Sequence, residues 1–119
     1  MKKILIVDDE EFIREMLFEF VSDLGDYEVI TAENGISSFK ILDKENIAVI
    51  ILDYTLPDIR GDAFIEKMKN KGLKIPVILT SGLSSNLEIE DDYKDFVFSS
   101  LKKPFDLEIL AETLKNIFK

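Results

Sequence analysis

Short, unbroken apolar runs alternate with amphipathic stretches along the whole chain, and this alternation constrains the fold more than any single motif does. Ile4-Leu5-Ile6-Val7 is continuous and branched, as a strand buried on both faces should be. Phe12, Ile13, Met16, Leu17, Phe20, Val21 and Leu24 follow at three-four spacing, with Glu11, Arg14, Glu15, Glu19 and Asp23 on the other face. That pattern predicts a helix with its apolar side inward, stopped by Gly25. Tyr27 to Thr31 reads as a second strand, Asn34-Gly35 as a turn, and Ile36 to Lys44 as a short helix with Phe39 and Leu42 inward. Ile47 to Leu52 is a third strand and the most buried one. Asp53 to Gly61, with Pro57, reads as a loop leading into a helix from about Asp62 to Lys71 that turns Phe64, Ile65 and Met68 to the sheet. Pro76 to Thr80 is a fourth strand with its proline at the edge.

The pattern weakens from Ser81 to Asp95, where Leu87, Ile89 and Tyr93 sit among acids without one clean stripe. A helix there is expected to be marginally held and the most mobile element. Phe96 to Lys102 holds a fifth strand of open register, because Phe96-Val97-Phe98 and Leu101 compete for burial. Asp106 is the expected N-cap of a last helix with Leu107, Leu110, Ala111, Leu114, Ile117 and Phe118 on one face. Five strand-helix units in strict alternation imply an α/β fold, a doubly wound parallel sheet with five helices and flavodoxin-like strand order 2-1-3-4-5. In such folds ligands bind beyond the carboxyl ends of the strands, so the residues just after each strand are the candidates.

At 119 residues, one domain over 1–119 with no output region is expected. Asp plus Glu outnumber Lys plus Arg by 24 to 15, a formal charge of -9 that repels phosphate backbones and anionic lipid. The chain has no Cys and no His, which excludes Cys and Ser-His catalysis, disulfides, and zinc sites built from thiolate or imidazole. Carboxylate, lysine, hydroxyl and hard metals remain. Only Ile4 to Val7 separate the N-terminal lysines from Asp8, too short for a signal peptide's apolar region, and the run from Ile47 to Leu52 is far below the roughly 20 residues that span a bilayer. A cytoplasmic domain without nucleic-acid or membrane partners is the expectation.

Asp8 and Asp9 follow the first strand, Asp53 the third, Thr80 and Ser81 the fourth, and Lys103 with Pro104 the fifth. Three carboxylates about 5 Å apart repel one another by roughly 10 kcal/mol in all at an effective dielectric near 20. That rivals the roughly 5 to 15 kcal/mol that holds a domain together, so a cation, Lys103 or protonation must neutralise the cluster. An oxygen-only set suits a hard divalent ion, Mg²⁺ above all. A carboxylate beside Mg²⁺ can attack phosphorus to give an aspartyl phosphate, and the Thr80 hydroxyl could then donate to a phosphoryl oxygen. Taken singly, each residue has a plainer reading. Asp8-Asp9 can be an N-cap, Asp53 an Asx turn ahead of Pro57, Lys102 and Lys103 solvated charges, and Thr80-Ser81 strand-end hydroxyls.

Together these residues resemble the receiver domains of two-component response regulators, the stand-alone chemotaxis and phosphorelay receivers most of all. The resemblance runs from Ile4-Leu5-Ile6-Val7-Asp8-Asp9-Glu10, through Asp53-Tyr54-Thr55-Leu56-Pro57 with Gly61, to Thr80-Ser81 and Lys103-Pro104-Phe105. It implies that Asp53 is the phospho-acceptor and that Asp8, Asp9, Asp53 and the Thr55 backbone carbonyl hold Mg²⁺. It further implies that Thr80 and Ser81 form the switch hydroxyls, that Lys103 contacts the phosphoryl group, and that Pro104 supports it. The donor implied is a phosphohistidine on a sensor histidine kinase or a histidine phosphotransfer protein, and the output passes to another protein. The family's surface for that partner would include Tyr93, Phe98 and Ser100. One departure stands out, since the usual switch aromatic is replaced by Ser100, with Phe98 two residues earlier on the same side-chain parity. Thr55 and Gly82, at positions that tune dephosphorylation, offer no carboxylate or amide to orient water, so the phosphoryl group is expected to be long-lived. The chain would be a signalling module rather than a turnover enzyme. A Mg²⁺-dependent aspartate-nucleophile phosphatase would want an Asp where Thr55 stands, a flavin binder is disfavoured by the three acids, and a receiver-like scaffold that is never phosphorylated is the remaining alternative.

Overall fold

The computed structural model describes residues 1–82 and 95–119. In chain order the elements are β1 (Lys2–Val7), α1 (Glu11–Asp23), β2 (Tyr27–Ala32), α2 (Gly35–Lys44), β3 (Val49–Asp53), α3 (Gly61–Asn70), β4 (Val77–Ser81), β5 (Val97–Lys102) and α4 (Leu107–Ile117). The five strands form one parallel sheet in the order β2-β1-β3-β4-β5, as the alternation implied. Four helices lie among the described residues. The fifth expected helix, with Leu87, Ile89 and Tyr93, falls outside them. No helix among the described residues is long and apolar enough to cross a membrane.

Alternation along the strands sorts the core into two layers, because successive side chains point to opposite faces. Ile4, Ile6, Val49, Ile51 and Ile78 pack with Leu17 and Val21 of α1 and with Leu110 and Leu114 of α4. Leu5, Val7, Ile50, Leu52 and Leu79 face the other way, onto Phe39 and Leu42 of α2 and Phe64 and Met68 of α3. All five residues of β3 are buried, and so are all five of β4. Helix starts and stops follow local chemistry. Gly25 takes φ +88° just past the end of α1, a left-handed conformation that costs glycine little. Asn34, expected in a turn, is instead the N-cap of α2, its side chain accepting from the Ser37 amide at 2.8 Å. Asp106 caps α4 as expected, accepting from the Glu108 amide at 2.8 Å.

Geometry overturns one expectation and settles one register the sequence leaves open. Phe12 was expected on the inward stripe of α1, yet it is 79 % exposed, and Met16 is exposed beside it. The stripe is real, but α1 begins beyond the carboxyl edge of β1, so its first turn overhangs the sheet and only Leu17 and Val21 reach full burial. The contest for burial in β5 is settled by a register shift between Val77 and Ile78, which pair with Val97 and Ser99 and leave Phe98 as the extra residue. That bulge lets both contenders pack, Phe96 and Val97 against one layer and Leu101 against the other.

Candidate functional site

The parallel register brings the strand ends level, with Val7 beside Leu52 and Asp53 beside Thr80. Asp8, at the end of β1, and Asp53, the last residue of β3, are 1 % and 5 % exposed, whereas Asp9 is open to solvent. One carboxylate oxygen from each of these three acids lies within 4.8 Å of the others. Lys103, just past β5, sets its Nζ 2.8 Å from Asp8 Oδ2 and 3.4 Å from Asp53 Oδ2. One ammonium thus bridges two buried carboxylates. Desolvation opposes the Lys103 charge, but the hydrogen bond to Asp8 and the fields of Asp53, Asp8 and Glu10 outweigh it and raise the lysine's pKa. Desolvation is also the main cause lifting Asp53 to about 6, with Asp8 adding to it and Lys103 and the Thr55 amide opposing it. The lysine thus offsets part of the cluster's repulsion, and the raised pKa of Asp53 works in the same direction.

Asp8 does not cap α1, whose N-cap is Glu10 with no side-chain hydrogen bond; its Oδ1 accepts from the Glu10 amide at 2.9 Å while Oδ2 faces Lys103. Asp53 does make a turn contact, Oδ1 accepting from the Thr55 amide at 3.3 Å, and it does so with Oδ2 turned to Lys103. Lys102 is exposed and Lys103 is not, so only the second lysine belongs to the site. Thr80 and Ser81 are both 2 % exposed, and the Thr80 hydroxyl donates to the Leu52 carbonyl at 3.4 Å. The Ser81 carbonyl accepts from the Lys103 amide at 2.7 Å, which ties the lysine's backbone to the end of β4. Pro104 follows through a cis peptide bond. Ser100 and Phe98 are both exposed on β5, with Phe98 at 49 %, so neither fills the interior beside Thr80.

Two residues that hold this edge together were not singled out from sequence. Arg14, counted among the outward residues of α1, donates from Nη1 to the Asp8 carbonyl at 2.8 Å. Asp58 accepts from the Gly35 and Ile36 amides at 2.9 Å each. Nothing in the spacing marks either contact, because each joins segments whose approach only the folded chain defines.

The donor set suits a divalent cation that prefers oxygen. Three convergent carboxylates carry no nitrogen or sulfur ligand among them, and solvent reaches the set through Asp9. Fold and site together define a class, that of doubly wound α/β domains with an acidic pocket and a lysine at the carboxyl edge of a 2-1-3-4-5 sheet. Residues 4–115 match the family model described as the response regulator receiver domain. The chain is 32 % identical over 120 residues to the chemotaxis protein CheY of Listeria monocytogenes, covering 100 % of both. It is 32 % identical over 118 residues to the transcriptional regulatory protein CrdR of Helicobacter pylori, spanning 98 % of this chain but only 55 % of that protein. Among solved structures, the chemotaxis response regulator CheY4 of Vibrio cholerae superposes with a TM-score of 0.81 at 29 % identity over 98 % of each chain. The chain belongs to the response regulator receiver domain family. Phosphorylation of an aspartate and signalling to a partner protein is the family's function, with histidine kinases and downstream targets as its partners.

Proposed function

We propose that Asp53 accepts a phosphoryl group from a phosphohistidine of a sensor histidine kinase or a histidine phosphotransfer protein. A carboxylate oxygen of Asp53 forms the new P–O bond as the P–N bond to the donor imidazole breaks. Mg²⁺ would be held by Asp8, Asp9, Asp53 and the Thr55 backbone carbonyl, and it would offset the repulsion between the attacking carboxylate and the phosphoryl oxygens. Lys103 already neutralises Asp8 and Asp53 and is placed to pair with an added phosphoryl oxygen. Thr80 and Ser81, buried beside Asp53 at the end of β4, supply hydroxyls for the same group. If the Thr80 hydroxyl turned from the Leu52 carbonyl to a phosphoryl oxygen, the end of β4 would be drawn inward and the surface beside β5 would change for a partner protein. This is signalling chemistry in the cytoplasm rather than turnover. With a net charge of -9, the partner is a protein rather than nucleic acid or membrane.

The observation that carries the reading is the Lys103 ammonium bridging two buried carboxylates, with a third carboxylate alongside. The test is the intact mass of wild type and Asp53→Asn after incubation with Mg²⁺ and a small acyl-phosphate donor, with EDTA as control. One added phosphoryl group on wild type alone, lost with EDTA, is the expected result. No gain, together with an unchanged spectrum in a beryllium fluoride titration, would make the chain a scaffold with a relic acidic cluster.

A further inference from the structure

The loop from β3 to α3 begins at Asp53 and carries Thr55, so its path decides where the Thr55 carbonyl stands. Backbone contacts close its base. The Gly61 amide donates to the Tyr54 carbonyl at 2.8 Å, and Thr55 and Arg60 form an isolated antiparallel bridge. The tip is held by a different device, a side chain that leaves the loop altogether. Asp58 Oδ1 accepts from the Gly35 amide and Oδ2 from the Ile36 amide, 2.9 Å each, across 23 and 22 residues of chain. These are charge-assisted bonds to two successive free N–H groups at the positive end of α2.

Residue 35 is shaped for that contact. A Cβ there would clash with Ile59 Cγ2 and lie 3.4 Å from both Asp58 carboxylate oxygens, so any larger residue would force the loop to shift off the first turn of α2. Desolvation pushes the Asp58 carboxyl up, but the Gly35 and Ile36 amides, its own amide and Lys67 outweigh it and hold it below the usual carboxylate range. The helix has its own cap besides, since Asn34 accepts from the Ser37 amide at 2.8 Å. With α2 capped from within, the Asp58 contact matters most at its other end, where it fixes the loop.

We propose that Asp58 is a positioning residue of the phosphorylation site, binding the β3–α3 loop to the amino terminus of α2 and so setting where Thr55 stands relative to Asp53. This rests on the reading of the site as a Mg²⁺-dependent phospho-acceptor. Groups that orient metal ligands from outside typically change affinity 10- to 100-fold when removed. Because binding free energies are reciprocal, a cation bound at the loop must in turn tighten the loop's hold on α2.

The experiment is calorimetric titration of MgCl₂ into wild type, Asp58→Ala, Asp58→Asn and Asn34→Ala, with amide exchange at Gly35 and Ile36 followed with and without Mg²⁺. Asp58→Ala should bind Mg²⁺ about tenfold more weakly, and Asp58→Asn, with one oxygen to offer two amides, should fall between it and wild type. Asn34→Ala should lower the melting temperature and leave Mg²⁺ affinity at the wild-type value. Mg²⁺ should slow exchange at Gly35 and Ile36 in wild type and not in Asp58→Ala. Equal affinity in wild type and both Asp58 variants would overturn the positioning role and leave the acceptor reading standing. So would an equal loss in Asn34→Ala, which would make the effect one of helix capping. A wild type that binds no Mg²⁺ would overturn both readings.

Discussion

β3 and β5 end at the same edge and contribute to the same ion pair, one Asp53 and the other the lysine just beyond its end, yet they are held very differently. β3 lies between β1 and β4 with every residue buried. β5 has one neighbour, a bulge, and residues that alternate between partly buried and exposed. Asp53 is thus built on a buried central strand, and its cation is brought in on a partly exposed edge strand with a bulge. On the proposed function that contrast has a use, since a reacting carboxylate needs a fixed position and a strand that signals to a partner needs freedom to shift.

The largest effect expected from that contrast is on stability. Ile51→Ala in β3, buried at 1 %, should cost about 3 to 4 kcal/mol in urea unfolding, as large-to-small changes in a packed core do. Lys103→Ala should cost roughly 3 kcal/mol at neutral pH, because it leaves Asp8 and Asp53 buried without their shared cation. The loss should shrink as pH falls below about 6 and Asp53 takes up a proton. A stability that ignores Lys103 at all pH values would mean that solvent, not the lysine, neutralises the acids.

The pH dependence of Asp53 sharpens the picture of the β3 side. Its folded-state pKa is raised from 3.8 to about 6, so the folded protein binds the proton more tightly than the unfolded chain. The stability from this group is greatest below the unfolded value and is lost as pH rises through about 6. Asp53→Asn should therefore be more stable than wild type above that pH by up to roughly 3 kcal/mol, and the gap should close near pH 4. Urea titrations at several pH values without Mg²⁺ check it, and a gap that widens toward acid would reverse the sign. On β5, Phe98→Ala should change stability by less than about 0.5 kcal/mol, since the side chain is half exposed at the bulge. The phosphoryl group itself should persist for much longer than seconds in time-resolved intact-mass spectra, since neither Thr55 nor Gly82 carries a carboxylate or amide to orient water.

These contrasts also explain what could be read from the sequence. Strands β1 and β3 announce themselves because burial on both faces demands unbroken apolar runs, and acids placed straight after such runs must meet at one edge once the sheet is parallel. The register of β5 was illegible because its bulge satisfies two apolar claims that any regular strand must choose between. Phe12 was misplaced because periodicity reports the direction of a side chain, not whether the sheet extends beneath it. Asp58 and Arg14 stayed hidden since each binds backbone atoms, which every residue type possesses, in a segment distant in sequence or read as solvent-facing.

The decisive question is which atom takes the phosphoryl group. Wild type phosphorylated in Mg²⁺ and treated with borohydride, which reduces an aspartyl phosphate to homoserine, should show the change at residue 53 alone when the tryptic peptides from Ile4 to Arg14 and from Glu45 to Arg60 are fragmented. Reduction at Asp8, Asp9 or Asp58 with residue 53 intact would contradict it.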